Sequence, residues 1–170
     1  MLRVAIVTLL FFLMGCQSKP HDYLSRSNPR DFAVLLYAQV LMKWPDFEKT
    51  TELAKQVLTE NLSKNLIAVQ KIEVEEGICC INANIFTDSQ DIMSGFLIDS
   101  VEEKDDFTVV AVCTGMDVKS IKSPALYLHL TRISGRWRIS DILYVRDKSL
   151  KSLHDMLVSC LHGEQRAEFY

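Results

Sequence analysis

The spacing of the apolar residues changes near Gly77 from a helical period to a strand period, and this change restricts the fold more than any other feature. Before Gly77 the pattern predicts two helices. After it, alternating and β-branched runs predict antiparallel strands, and helical spacing returns only near the C-terminal end. This order of elements indicates an α+β fold, with N-terminal helices packed on a curved antiparallel sheet and an added C-terminal helix.

The first helix has recognisable start and stop signals. Asn28 can cap it, and Pro29 is tolerated in the first helical turn. Residues 32–42 are apolar almost all the way round, which predicts a helix that is buried on most sides. We expect the helix to end near Trp44, because Pro45 disfavours helical geometry in the residue before it.

Two further helices are predicted from apolar stripes. One amphipathic helix begins at Asp46, and its stripe consists of Leu53, Val57, Leu58, Leu62, Leu66 and Ile67. The C-terminal helix covers residues 148–162, and its inward side consists of Leu150, Leu153, Leu157, Cys160 and Leu161.

Four strands are predicted between these helices, at residues 94–101, 107–114, 125–133 and 136–145. In the third strand alternation places Leu126, Leu128 and Leu130 on one face and Tyr127, His129 and Thr131 on the other. The same rule divides the fourth strand into Trp137, Ile139 and Asp141 on one face and Arg138, Ser140 and Ile142 on the other.

The first residues of the chain have the layout of a bacterial secretory signal. Arg3 precedes an apolar run over residues 4–14, which ends at a Gly and a Cys. The run is shorter than the roughly 20 apolar residues that a membrane-spanning helix needs. We therefore predict four parts: a signal peptide at 1–15, a polar tether at 16–28, one domain at 29–162 and a tail at 163–170.

The stretch Leu13-Met14-Gly15-Cys16 resembles the lipobox of bacterial lipoproteins, in which a Leu, a small residue and a Gly or Ala precede a lipidated Cys. Met14 departs from this pattern. The resemblance implies that Cys16 carries acyl chains and anchors the chain to the membrane without spanning it. Gln17 is not the Asp that marks inner-membrane retention in that family, which implies the outer membrane, facing the periplasm. The alternative is an ordinary cleaved signal with Cys16 as a free thiol.

The charges of the chain argue against nucleic acid as a partner. The sequence has 19 Lys and Arg against 22 Asp and Glu, a formal net charge of −3. The basic residues alternate with acidic ones, whereas phosphate binding needs them clustered.

The block YLHLTRISGRWRISDILYV resembles the last hairpin of the nuclear-transport-factor-two-like superfamily. The stretch NIFTDSQDIMSGFLIDSVEEKDDFTVVAV resembles a bacterial branch of that superfamily known only as a domain of unknown function and often found on lipoproteins. Together with the helices, the resemblance covers residues 29–146. It implies a cone-shaped domain whose sheet curls around the helices, with a pocket at its mouth. The C-terminal helix is an addition that covers the pocket or an open edge.

His129 and Asp141 are the candidates for chemistry, because enzymes of that superfamily use Asp or His inside the cone as a general base. The alternative is a structural or solvent-facing pair, and the superfamily commonly uses an Asp at this Trp-x-x-x-Asp position for structure. We predict no catalytic residue. No cofactor or metal site is predicted either, since metal-ligand spacing is absent among His21, His129, His154 and His162.

Four cysteines follow the predicted tether, namely Cys79, Cys80, Cys113 and Cys160. Export to an oxidising compartment favours disulfides, and four thiols allow three connectivities. Ring strain disfavours a bond between the adjacent Cys79 and Cys80. We favour a bond from Cys160 to Cys79 or Cys80, with Cys113 as the alternative partner or as a buried free thiol.

Three functions remain open. The first is an outer-membrane lipoprotein with a non-catalytic periplasmic module that binds an envelope protein or a small ligand. The second is an immunity lipoprotein that neutralises a toxin delivered to the periplasm. The third is a small enzyme that uses His129 and Asp141.

Overall fold

The computed structural model describes residues 28–43, 46–77, 80–81, 83–90, 93–115 and 123–164. Several sequence predictions lie outside this range. They concern the signal peptide, Cys16, the tether apart from Asn28, Cys79 and the tail beyond residue 164.

The predicted α+β fold is confirmed, with helices before a five-stranded antiparallel sheet and one helix after it. The helices before the sheet are α1 (Pro29–Lys43), α2 (Phe47–Val57) and α3 (Glu60–Glu76). The sheet follows chain order and consists of β1 (Gly95–Glu103), β2 (Thr108–Gly115), β3 (Leu126–Ile133), β4 (Arg136–Arg146) and β5 (Ser149–Ser152). The final helix is α4 (Leu153–Leu161).

The local signals of α1 act as predicted. Asn28 Oδ1 accepts a hydrogen bond from Asp31 N at 2.9 Å and caps the helix. The helix ends at Lys43, close to the predicted stop before Pro45. Its inward side is fully buried and consists of Phe32, Ala33, Leu36, Tyr37 and Val40.

The prediction of one amphipathic helix from Asp46 is wrong, because two helices, α2 and α3, occupy its place. Leu58 and Thr59 between them have extended backbone. Leu58 forms an isolated parallel bridge with Ile139 of β4, and Thr59 N donates to Ile139 O at 2.9 Å. A hydrogen bond to the sheet therefore replaces one turn of helix, while the apolar stripe continues on both sides.

The predicted division of β4 into two faces is also wrong. His129 pairs with Asp141 and Leu130 pairs with Ile139, so Ser140 is an extra residue in the ladder. Such a bulge reverses the alternation. As a result Ile139 and Ile142 are both fully buried against the helices, although strict alternation assigns them to opposite faces.

The C-terminal helix begins five residues later than predicted. Asp147 and Lys148 both have positive φ and form a two-residue turn, a conformation typical of tight hairpins. The chain then returns as β5, paired with β4. Leu150, expected on the inward side of a helix, lies on this strand and is 56% exposed.

The core lies between the helices and the inner face of the sheet. Leu126, Leu128 and Leu130 are fully buried there, as predicted, whereas the alternate residues of β3 are half-buried. Leucines therefore fill this part of the inner face.

Candidate functional site

His129 and Asp141 face each other across β3 and β4, but their side chains share no hydrogen bond in the described part of the chain. The ring of His129 lies beside that of Phe107, with centroids 4.9 Å apart. Burial lowers the pKa of His129, and the Asp141 charge opposes this effect only in part. The register therefore places the two candidates opposite each other, but no hydrogen bond joins their described side chains.

Both carboxylate oxygens of Asp141 accept hydrogen bonds from residues at the start of α4. Oδ2 accepts from Ser152 Oγ at 2.7 Å, and Oδ1 accepts from His154 N at 3.0 Å. Ser152 Oγ in turn accepts from Asp155 N at 3.1 Å, which makes Ser152 the N-cap. Asp141 thus satisfies one backbone donor that the first turn of a helix leaves without a partner, and Ser152 satisfies a second.

The sulfur atoms of Cys80 and Cys160 lie at bonding distance, and their Cα atoms are 6.0 Å apart. This separation is within the roughly 7 Å that a disulfide permits. The geometry selects Cys80 from the two partners that the sequence favoured for Cys160, and the bond in the native protein stays a prediction. Cys113 is buried, and burial raises the pKa of its thiol.

The chain between α3 and β1 is fixed by more than this cysteine pair. We call residues 80–81 and 83–90 the linker segment. Near its start Glu73 Oε1 accepts from Cys80 N at 2.7 Å and from Ile81 N at 2.6 Å. Near its end Asp88 forms a bidentate ion pair with Arg146, which raises the pKa of the arginine.

Two buried tyrosines hold the middle of the linker segment. Tyr37 Oη donates to Phe86 O, and Tyr144 Oη donates to Ile85 O, both at 2.7 Å. Burial raises the pKa of both phenols well above the usual value, so they stay neutral and keep the protons that they donate. The segment is therefore fixed from α1, α3 and β4.

A cleft of about 140 Å³ lies between α2, α3 and the linker segment. We call it the helix cleft. Its lining combines apolar and polar side chains, namely Thr50, Thr51, Ala54, Leu66, Gln70, Glu73, Ile81, Ala83, Asn84 and Ile85. The helix cleft lies outside the sheet, with no described strand residue in its lining. The pocket expected at the mouth of the sheet stays a prediction.

Asn84 is the unusual residue of the helix cleft. It is only 3% exposed, and its Oδ1 accepts from Phe86 N at 2.8 Å. Its Nδ2 is buried and has no hydrogen-bond partner among the described residues. Leaving such a donor unsatisfied costs about 1–3 kcal/mol.

Sequence reasoning missed the helix cleft. The available signals were Thr50 and Thr51 beside the apolar stripe of α2 and the two asparagines of the stretch NANIFTD. These signals are weak, because threonine is common on helices and asparagine is common in turns.

The described residues hold no candidate membrane-spanning helix and no candidate metal site. No described helix has both the length and the apolar character needed to cross a bilayer. Within the same ranges, no three His, Cys, Asp or Glu side chains are grouped so that they could hold a metal ion. Comparison with known proteins found no matching family model, curated protein or solved structure.

Proposed function

We propose that this chain is an outer-membrane lipoprotein whose periplasmic domain is a non-catalytic binding module with the helix cleft as its small-ligand site. The lipobox-like residues before Cys16 support the anchor. The main support for binding is the helix cleft itself, which combines apolar walls with the polar side chains of Gln70, Glu73 and Asn84, each fixed by hydrogen bonds. Clefts with an apolar lining and a few fixed polar groups are the usual sites for small ligands.

The enzyme hypothesis has weaker support. A general base must reach the proton that it removes, and Asp141 already accepts three hydrogen bonds, two of which fix the start of α4. His129 lies on a different part of the molecule from the helix cleft, since neither it nor Asp141 lines the cleft.

The anchor is tested by replacing Cys16 with Ser in the full chain. We expect the Cys16→Ser protein to leave the membrane fraction or to retain its leader, because no thiol is available for acylation. A variant that fractionates and migrates like the parent would contradict the lipoprotein proposal.

The binding role is tested by native mass spectrometry of the full chain extracted from envelopes in mild detergent. We expect a small-molecule adduct on the parent and its loss in Ala83→Leu, which places a larger side chain in the helix cleft. Val74→Leu is the matched control, because Val74 is 85% exposed and does not line the cleft. Absence of any adduct, or equal adducts on all three proteins, would contradict a small-ligand role.

A further inference from the structure

Apolar side chains lie on the outward side of α1 as well as on its buried side. Val34 is 40% exposed and Met42 is 76% exposed. Together with the half-buried Ala38 they are four positions apart, so they form one row along the helix. This row lies opposite the fully buried Leu36 and Val40. We call Val34, Ala38 and Met42 the outer stripe.

The outer stripe has no charged side chain along its length. The sequence has no charged residue between Asp31 and Lys43, about three helical turns, and the half-buried Leu35 and Leu41 lie on the two sides of the stripe. Asp31 lies at the start of this face, where Asn28 Nδ2 donates to its carboxylate at 2.7 Å. A helix face that meets water is normally polar, so this composition favours contact with an apolar environment.

Of the described elements, α1 is the closest in sequence to the predicted anchor. Asn28 follows Cys16 by about 12 residues, and a chain of that length spans at most about 40 Å. Acyl chains on Cys16 therefore keep α1 close to the bilayer. At the high effective concentration that such a tether gives, even a weak apolar contact with lipid is well populated.

We propose that the outer stripe lies in the interfacial region of the phospholipid bilayer that anchors the chain. Val34, Ala38 and Met42 contact the acyl chains just below the headgroups, while the other side of α1 stays packed on β1. This contact removes exposed apolar surface from water, which is favourable. The inference rests on the proposed lipoprotein function and adds the orientation of the domain on the membrane.

The methyl groups of labelled methionines test this orientation in nuclear magnetic resonance. The sample is the lipidated full chain in nanodiscs of phosphatidylethanolamine and phosphatidylglycerol, with a nitroxide on the acyl chains of some lipids. The reference is the same sample after ascorbate has reduced the nitroxide. We expect the Met42 signal to lose most of its intensity to the nitroxide and the signal of Met156, which is 9% exposed and belongs to the core, to lose much less.

Val34→Glu tests the stripe, because it places a charge where the proposal places acyl chains, and removing a charge from water is unfavourable. Val74→Glu is the matched control, since it makes the same change at an 85% exposed position of α3. We expect Val34→Glu to abolish the stronger broadening of Met42 and Val74→Glu to preserve it.

The comparison of Met42 with Met156 needs no variant, so the proposal stays falsifiable if Val34→Glu does not fold. Broadening of Met42 no stronger than that of Met156 would overturn it, as would equal effects of the two Glu substitutions. A Met42 signal that instead changes when two copies share a nanodisc would assign the stripe to a second copy and also overturn it. If Cys16→Ser nevertheless leaves the membrane fraction, the anchor stands and only the orientation is wrong.

Discussion

At the scale of single residues, the hydroxyl groups of two buried tyrosines hold the linker segment in place through hydrogen bonds. Phe86 O and Ile85 O are consecutive buried carbonyls, and each accepts from one tyrosine, Tyr37 of α1 or Tyr144 of β4. Removing a hydroxyl leaves a buried acceptor without a partner, which costs more than the net value of the hydrogen bond.

We predict that Tyr37→Phe and Tyr144→Phe each lower the free energy of unfolding by about 1–3 kcal/mol in urea titrations. Tyr127→Phe is the control, because Tyr127 is half-buried on the other face of the sheet, and its hydroxyl has no hydrogen bond in the described part of the chain; we expect a change within about 0.5 kcal/mol. Equal effects of all three substitutions would show that the two hydroxyls do not anchor the segment.

His129 gives a prediction about pH. Burial beside Phe107 lowers its pKa below the usual 6.5, so the unfolded chain binds the proton more readily than the folded one. Stability should therefore fall as the pH drops from about 6.5 towards the lowered pKa and level off below it. We expect His129→Gln to make the free energy of unfolding depend less on pH in this window. Urea unfolding at a series of pH values measures this dependence. An unchanged slope would contradict this environment for the ring.

At the scale of elements, the sequence predicts what is decided locally. The start of α1 depends on Asn28, and its end at Lys43 agrees with the stop that the sequence predicts before Pro45, so both signals are local. The break at Leu58 and the bulge at Ser140 depend instead on which strand lies beside which helix. No local sequence pattern indicates that contact. The sequence therefore predicts the apolar stripe correctly but predicts one helix where the structure has two, α2 and α3.

The start of α4 is a further case of this kind. Leu150 continues the apolar stripe of the helix, but the tight turn at Asp147 and Lys148 turns the chain back along β4 before the helix can begin. Pairing with β4 supplies hydrogen bonds for β5, and Asp141 then supplies acceptors for the first turn of α4.

We predict that Asp141→Ala destabilises the protein by about 1–2 kcal/mol and speeds hydrogen exchange at the amides of His154 and Asp155. Ser152→Ala removes the N-cap hydroxyl and should give the same local signature, because Asp141, Ser152 and the two amides form one network. Loss of an enzymatic activity in Asp141→Ala, with exchange at both amides unchanged, would favour the enzyme hypothesis instead.

At the scale of the whole molecule, the cysteine pair connects the linker segment after α3 to the final helix, α4. Cys80 follows α3 and Cys160 lies near the end of α4, so the loop that they close contains the entire sheet. The sequence could favour this pairing, because the pairing depends on which elements carry the cysteines, and those elements can be predicted from the sequence. The helix cleft could not be predicted in this way, since its walls depend on the path of the linker segment between fixed elements.

A bond between Cys80 and Cys160 would close a loop of 80 residues in sequence. The chain-entropy model gives such a loop roughly 4 kcal/mol of stabilisation. For a domain of this size we therefore expect reduction, or the double change Cys80→Ser and Cys160→Ser, to lower the melting temperature by roughly 10 °C. Scanning calorimetry with and without reductant measures the shift.

A variant of the third described cysteine and a chemical test both check this prediction. Cys113→Ala should keep the full reductant-sensitive shift, because Cys113 is the free thiol of the described residues. Peptide mapping after alkylation without reduction should leave Cys160 unlabelled, while an alkylated Cys160 would exclude the bond. Since Cys80 directly precedes Ile81, a lining residue of the helix cleft, reduction should also weaken ligand binding if the bond holds that wall in place. Unchanged binding after complete reduction would assign this role to Glu73 and the two tyrosines alone.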